Sequence, residues 1–198
     1  GRGQDETGYA VVAMLHGKLF LLSAGGLKGG YTETNLVFLA KLAQRFRVHD
    51  VVVESNFGDG MFEQLLQPVM AKYHPCHIEG VRSTSRKEER IIDTLEPVMN
   101  QHRLVVNKGL LRDDLESGDK VYQLFVQMTR LTREKGSIAH DDRLDALALA
   151  VSFWLEHMGR DEEEAWETWR EEKLQEMLET LEEHTLGASP RRDRWANW

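Results

Sequence analysis

Three absences limit what this chain of 198 residues can be. It contains a single cysteine, Cys76, so no disulfide framework can stabilise it and we expect a reducing compartment. No apolar run approaches the length that crosses a bilayer and no signal peptide opens the chain, so we expect no membrane contact and an intracellular location. A phosphate-binding Walker loop is also missing, because no Lys-Ser or Lys-Thr follows the glycines of 25–30.

Positive charge is outnumbered by negative charge, since the formal net charge is −8 at pH 7. The whole of this excess lies in 161–184, where eleven acidic residues accompany only Arg170 and Lys173. The rest of the chain is therefore nearly neutral. Such a balance neither predicts nor excludes binding to nucleic acid, so local patches of charge must decide.

The order of apolar runs and turn residues predicts a mixed α/β domain. Two β-prone runs, 9–15 and 18–27, are separated by His16-Gly17, which is typical of a hairpin. Thr32 is a residue type typical of a helix N-cap. Periodicity then predicts helices at about 32–45, 61–72, 86–100, 109–116, 119–133 and 141–157, and strands at 50–54, 77–81 and 104–107. A hairpin followed by alternating strands and helices indicates a mixed sheet flanked by helices.

The most informative stretch is the acidic start of the helix predicted at 141–157. Asp142 and Asp145 are three residues apart and share a helix face, next to Asp141. Like charges this close repel, and a hard divalent cation relieves the repulsion. Helix capping is the alternative, because acidic residues favour helix N-termini. The apolar residues expected to anchor this helix are Leu144, Leu147, Ala148, Val151 and Leu155.

A second acid, Glu54, ends the β-branched run 50–53, which predicts a buried central strand. Open α/β sheets place their sites at the carboxyl ends of such strands. The alternative is a glutamate that has merely reached solvent. A strand-end glutamate and an acidic helix start suit a two-metal nuclease, in which two cations stabilise the attacking and leaving oxygens of a phosphodiester. The candidate metal ligands are Glu54, Asp141, Asp142 and Asp145, of which Glu54, Asp142 and Asp145 are favoured as catalytic.

A basic, hydroxyl-rich stretch lies at a predicted strand-to-helix junction. Such a group suits contacts to DNA phosphates, and a solvated helix start is the alternative. The candidate DNA-binding residues are Arg82, Arg86, Lys87 and Arg90.

The C-terminal part differs in composition from the rest. Residues 159–186 predict an acidic amphipathic helical extension, and 187–198 predict a flexible tail in which tryptophans lie among arginines. Trp and Arg are typical of protein-binding hot spots, so a docking module is the second functional hypothesis. A tail folded back on its own domain is the alternative. The apolar stripe of the extension consists of Trp166, Trp169, Leu174, Met177, Leu178 and Leu181.

Three motifs together resemble a known family: residues 1–9 (Gly-Arg-Gly-Gln-Asp-Glu-Thr-Gly-Tyr), 52–58 (Val-Val-Glu-Ser-Asn-Phe-Gly) and 140–147 (His-Asp-Asp-Arg-Leu-Asp-Ala-Leu). Over about 1–158 the chain resembles the C-terminal nuclease domain of terminase large subunits of tailed phages, of the short-tailed type. The resemblance implies a ribonuclease H-like fold and an endonuclease that cuts concatemeric DNA with two Mg²⁺ or Mn²⁺ ions. The implied partners are double-stranded DNA, the portal, the terminase small subunit and further copies in the full-length motor, and the implied location is the host cytoplasm.

One departure from the family pattern concerns the start of the chain. In the family, the first catalytic aspartate lies on a central strand just before the Gly-Arg-Gly loop, and this chain begins at that loop. We therefore expect 1–158 to be an N-terminally truncated ribonuclease H-like domain whose hairpin and Glu54 strand flank a gap or close on each other. The resemblance also implies that this chain alone can be inactive. Two alternatives stay open: a nuclease like the Holliday-junction resolvases, which Asp142 and Asp145 also match, and a portal-docking module with an inactive core.

Overall fold

The computed structural model describes residues 6–55, 60–83 and 85–186, without the side chains of 160–165, 172, 176 and 179–186. The strands are β1 (Thr7–Leu15), β2 (Lys18–Leu27), β3 (Asp50–Glu54), β4 (His77–Val81) and β5 (Leu104–Val106). The helices are α1 (Glu33–Phe46), α2 (Met61–Tyr73), α3 (Lys87–Asn100), α4 (Lys108–Glu116), α5 (Leu124–Arg130) and α6 (Asp142–Leu186), with a 3₁₀ turn at Lys120–Tyr122. This order confirms the predicted mixed α/β class.

The strands form two hydrogen-bonded groups. β1 and β2 are the predicted hairpin, turning at His16 and Gly17 with positive φ angles, and β5 joins β2 in parallel. β3 and β4 form a separate parallel pair. Among the strands that the structure describes, none joins β1 to β3. The described strands therefore form two separate sheets, one of three strands and one of two.

One core cluster lies between α1, α2 and β3. Leu36, Ala40 and Ala43 follow helical spacing along α1 and are buried against Leu66 and Met70 of α2. Thr32 caps α1, as predicted, because its hydroxyl accepts a hydrogen bond from the backbone N–H of Asn35 at 3.4 Å. Since Val53 of β3 belongs to the same cluster, this packing fixes the strand that ends at Glu54.

The first turns of α6 form a second anchor. Four of the five residues predicted to anchor this helix, Leu144, Leu147, Ala148 and Val151, are each no more than 2% exposed, whereas the fifth, Leu155, is only partly buried. Each buried leucine or valine side chain contributes about 1.5–3 kcal/mol through removal from water, and the methyl group of Ala148 contributes less. The backbone that carries Asp142 and Asp145 is therefore held in place by the apolar residues between and after them.

Three predicted helices have other limits in the structure. The predicted helix at 119–133 is a 3₁₀ turn followed by α5, because the Asp114 carboxylate accepts from the backbone N–H groups of Leu124 and Phe125 and begins a new helix there. The two helices predicted at 141–157 and within 159–186 are one helix of 45 residues. Gly159 does not interrupt it, since glycine costs a helix only about 1 kcal/mol relative to alanine.

The chain divides into two compact units, residues 1–154 and 155–198. The predicted tail, 187–198, lies outside the described residues. Across the described ranges, no helix combines the length and the apolar character that a membrane span requires.

Candidate functional site

Three elements bring charged side chains to one place in the first unit. Glu54 is the last residue of β3, and Arg90 lies on the first turn of α3. One guanidinium nitrogen of Arg90 lies 3.2 Å from Oε1 of Glu54, and the other lies 2.6 Å from Oδ1 of Asp145 on α6. The structure therefore brings Glu54 and Asp145 together on opposite branches of one guanidinium.

Lys87, at the start of α3, forms the second cationic contact. Its Nζ lies 2.7 Å from Oδ1 of Asp141 and 3.3 Å from Oδ2 of Asp145. Both oxygens of the buried Asp145 carboxylate thus face a cation, one from Arg90 and one from Lys87. We call Glu54, Asp141, Asp142 and Asp145 the carboxylate centre.

The electrostatics of the two cations follow from this surrounding. Burial opposes the charge of Lys87, but Asp145, Asp141 and Asp142 outweigh burial and raise the pKa of its ammonium group. Burial likewise opposes the charge of Arg90, and the attraction of Asp145 and Glu54 leaves its pKa raised. Both side chains are therefore charged at neutral pH, and Asp142 contributes to the negative field around Lys87.

The carboxylate centre can be tested against the divalent cations that the resemblance implied. Its donors are carboxylate oxygens, the ligands that Mg²⁺ and Mn²⁺ prefer. In the structure three of these carboxylates form an ion-pair network with Lys87 and Arg90. No group of three acidic, histidine or cysteine side chains is arranged to hold a metal ion within 6–55, 60–83 and 85–186. The donor chemistry fits a hard cation, whereas the orientation of the carboxylates fits Lys87 and Arg90.

The four predicted DNA-binding residues fall into two groups. Lys87 and Arg90 are directed at the carboxylate centre. Arg86 is largely exposed and pairs with Glu89 at 3.2 Å. Arg82 lines a cleft of about 450 Å³ at the carboxyl ends of β3 and β4. The other residues lining this cleft are Ser55, Gly60, Glu63 and Gly80.

Backbone groups hold the first turn of α6 in position. The carbonyl of Asp141 accepts from the N–H of Asp145 at 2.8 Å, so Asp141 occupies the N-cap position that the capping hypothesis gave it, while its carboxylate contacts Lys87. The N–H of Leu144 donates to Oε1 of Gln127 at 3.2 Å. Gln127 is buried and also donates to the carbonyl of Val121, so it links the 3₁₀ turn to the helix start.

Arg143 connects α6 to two other elements through buried ion pairs. Its guanidinium lies 3.0 Å from Oε2 of Glu6 and 3.5 Å from Oδ1 of Asp114. The side chains of Arg143, Glu6 and Asp114 are 14%, 4% and 9% exposed, respectively. Next to this network, β1 crosses α6 so closely that a Cβ at Gly8 would overlap the carbonyl of Asp142. These contacts fix the helix start against β1 and α4.

Sequence reasoning missed these positioning residues. Arg143 stands within the acidic motif, and an arginine between three aspartates could have indicated a buried ion pair. Glu6 and Asp114 gave no local pattern, because their partner is distant in the chain.

The second unit carries an exposed apolar stripe on α6. Trp166 and Trp169 stack with ring centroids 5.0 Å apart, and Leu174, Met177 and Leu178 are at least half exposed. Exposed tryptophans of this kind are typical of binding surfaces.

Comparison with known proteins agrees with the motifs. Residues 1–104 match the family described as the Terminase Bacteriophage T7, Ribonuclease H-like domain. The whole chain aligns with the terminase large subunit of Enterobacteria phage T3 at 42% identity over 220 aligned positions, and it spans 38% of that relative's length. The resemblance predicted from the motifs is thereby confirmed. The chain belongs to the ribonuclease H-like domain family of T7-type phage terminases.

Proposed function

We propose that this chain is the metal-dependent endonuclease domain of a viral DNA-packaging terminase, and that it cuts concatemeric DNA by two-metal phosphodiester hydrolysis. One observation supports the proposal most strongly. Glu54 of β3 and Asp145 of α6, which are far apart in the sequence, meet on one guanidinium, beside Asp141 and Asp142. A ribonuclease H-like fold that gathers carboxylates at a strand end and a helix start is suited to hydrolysis of nucleic acid.

Roles can be proposed for the individual residues. Glu54, Asp142 and Asp145 would hold two Mg²⁺ or Mn²⁺ ions, with Asp141 as a further ligand. Such ions supply a nucleophile at neutral pH and charge stabilisation for the leaving oxygen. Arg82 and Arg86 would contact DNA phosphates, since Arg82 lines the cleft at the ends of β3 and β4 and Arg86 is largely exposed.

The wider role follows from the T3 relative, whose name is terminase, large subunit. We propose double-stranded DNA, the portal and the terminase small subunit as partners, a homo-oligomeric packaging motor as the assembly, and the host cytoplasm as the location.

The proposal predicts that cleavage requires a divalent ion. The complete natural protein should cut plasmid DNA in Mg²⁺ or Mn²⁺ at roughly millimolar concentration. EDTA should abolish the cutting, because it removes the ion that activates water. Two substrates, plasmid DNA and a synthetic four-way junction, are incubated separately, and gel electrophoresis measures how much of each is cut. Equal cutting with and without EDTA would contradict metal dependence, and exclusive cutting of the junction would favour the resolvase alternative.

A second candidate function is docking to the portal ring, and the exposed stripe of the second unit favours it. The stripe lies in a segment rich in acidic residues, so its partner should present an apolar surface bordered by basic groups. The portal is the occupant that we propose. The tail at 187–198, which carries Trp195 and Trp198, would add to the same contact.

The docking proposal predicts a separation of binding from cleavage. The double change Trp166→Gln and Trp169→Gln should weaken binding to purified portal rings by about tenfold or more, because buried tryptophans often contribute at least 1–2 kcal/mol at an interface. Cleavage of naked DNA should be unchanged. Gln175→Ala, at an exposed position on the opposite face of the helix, is the matched control. Unchanged portal affinity in the double variant, measured by biolayer interferometry, would exclude the stripe as the docking surface.

A further inference from the structure

Two side chains of α3 already supply positive charge to the carboxylate centre. We infer that Lys87 and Arg90 are internal counterions that a divalent cation must displace before it can bind Glu54 and Asp145. This inference rests on the proposed function, because it concerns the same site. It assigns the two residues a role in metal loading that differs from the phosphate contact predicted from the sequence.

The geometry of Asp145 carries the inference. Arg90 lies 2.6 Å from Oδ1 and Lys87 lies 3.3 Å from Oδ2, so both carboxylate oxygens face a cationic nitrogen. A metal ion at either oxygen would lie within a few ångströms of a like charge. The metal and the two side chains therefore compete for the same oxygens.

The position of Arg90 extends the competition to β3. The same guanidinium lies 3.2 Å from Glu54, so it contacts both of the carboxylates that would hold the ion. Arg90 and Asp145 are mostly buried, whereas Lys87 is more than one third exposed. Arg90 thus competes more strongly than Lys87 with a metal ion for the carboxylate oxygens, since ion pairs removed from water are less screened.

A purely structural role for Lys87 and Arg90 leads to a different prediction. If Lys87 and Arg90 only stabilise the fold, removal of either charge should leave the affinity for metal unchanged or lower it. If they are counterions, removal of either charge leaves part of the negative charge of Glu54, Asp141 and Asp145 uncompensated, and a divalent ion then relieves the repulsion. Metal affinity should rise although the metal-free protein becomes less stable.

The test is Mn²⁺ binding by isothermal titration calorimetry on the complete natural protein without DNA. Arg90→Gln should tighten Mn²⁺ binding by about tenfold, the effect of one elementary charge removed at short range. Lys87→Gln should tighten it by a smaller factor, and Arg90→Lys, which keeps the charge, should stay within about twofold of wild type. Arg86→Gln is the matched control, because Arg86 pairs with Glu89 outside the centre. Adding Glu54→Gln to Arg90→Gln should abolish the gain in Mn²⁺ affinity.

A second readout protects the test against loss of fold. The midpoint of thermal unfolding should fall in Arg90→Gln without metal, and Mn²⁺ should raise it more in this variant than in wild type. Unchanged or weaker Mn²⁺ binding in both folded Gln variants would overturn the inference. Failure of wild type to cleave DNA would contradict the proposed function instead, and the titrations would still decide whether the counterions compete with the ion.

Discussion

Alanine at Glu54 or at Asp142 is expected to lower DNA cleavage by the complete natural protein at least about 10³-fold. The physical reason is loss of a ligand to an ion whose charge stabilisation is worth several kcal/mol, and each 1.36 kcal/mol corresponds to a factor of ten in rate. The fold should persist, because removal of one carboxylate from a crowded group relieves repulsion. Single-turnover cleavage of plasmid DNA in Mg²⁺ measures the rate, and circular dichroism measures the fold.

Asp145 is a less suitable position for the same test. Arg90 and Lys87 both depend on its carboxylate, so Asp145→Ala would leave two partly buried cations without a main partner and destabilise the protein. Two exposed acids provide matched controls for the informative positions: Glu79→Ala on a strand for Glu54, and Asp113→Ala on a helix for Asp142. Cleavage at the parental rate by either active-site variant would remove that residue from the proposed mechanism.

The largest expected effect on stability comes from Arg143→Met. Glu6 and Asp114 would keep their charges in surroundings that are less than a tenth exposed, with no guanidinium to compensate them. Breaking a buried ion pair from one side costs about 3–5 kcal/mol, because the remaining charge is buried without a partner. Urea denaturation of the chain followed by circular dichroism should show a corresponding fall in the free energy of unfolding.

Arg133→Met is the control for this loss. Arg133 also contacts two acids, Asp93 at 2.8 Å and Glu96 at 3.5 Å, but all three side chains are more than half exposed. Exposed pairs contribute only about 0–1 kcal/mol, so the control should change stability little. Combining Arg143→Met with Glu6→Gln should recover part of the loss. If Arg143→Met costs no more than Arg133→Met, the buried network does not anchor α6.

Much of the fold could be predicted from local patterns. The hairpin, the Thr32 cap and the β-branched strand ending at Glu54 depend on residues close in sequence, and the structure contains all three. The break between the 3₁₀ turn and α5 was missed because it depends on Asp114, which caps α5 from the preceding helix. Propensity within a window of sequence carries no information about such a partner.

In the candidate site, too, some features follow from the local sequence and others depend on residues distant in the chain. Glu54, Asp142 and Asp145 can be identified as candidates from a single sequence, because each lies at the end or the beginning of an apolar element. The orientation of Arg90 was not accessible in that way. A basic residue on the first turn of a helix is compatible both with phosphate contact and with an internal ion pair, and only the distance to Asp145 distinguishes them.

The pairs that assemble the carboxylate centre also impose an order in time on its formation. Arg90 and Glu54 are separated by 36 positions, Arg90 and Asp145 by 55, and Arg143 and Glu6 by 137. Contacts between such distant residues form slowly, because a long loop must close before they can stabilise anything. A ribosome-bound chain that ends before residue 141 already contains Arg90 and its partner Glu54, but it lacks every aspartate of the centre. The site therefore matures only after most of the first unit has been synthesised, and truncated translation products cannot carry it.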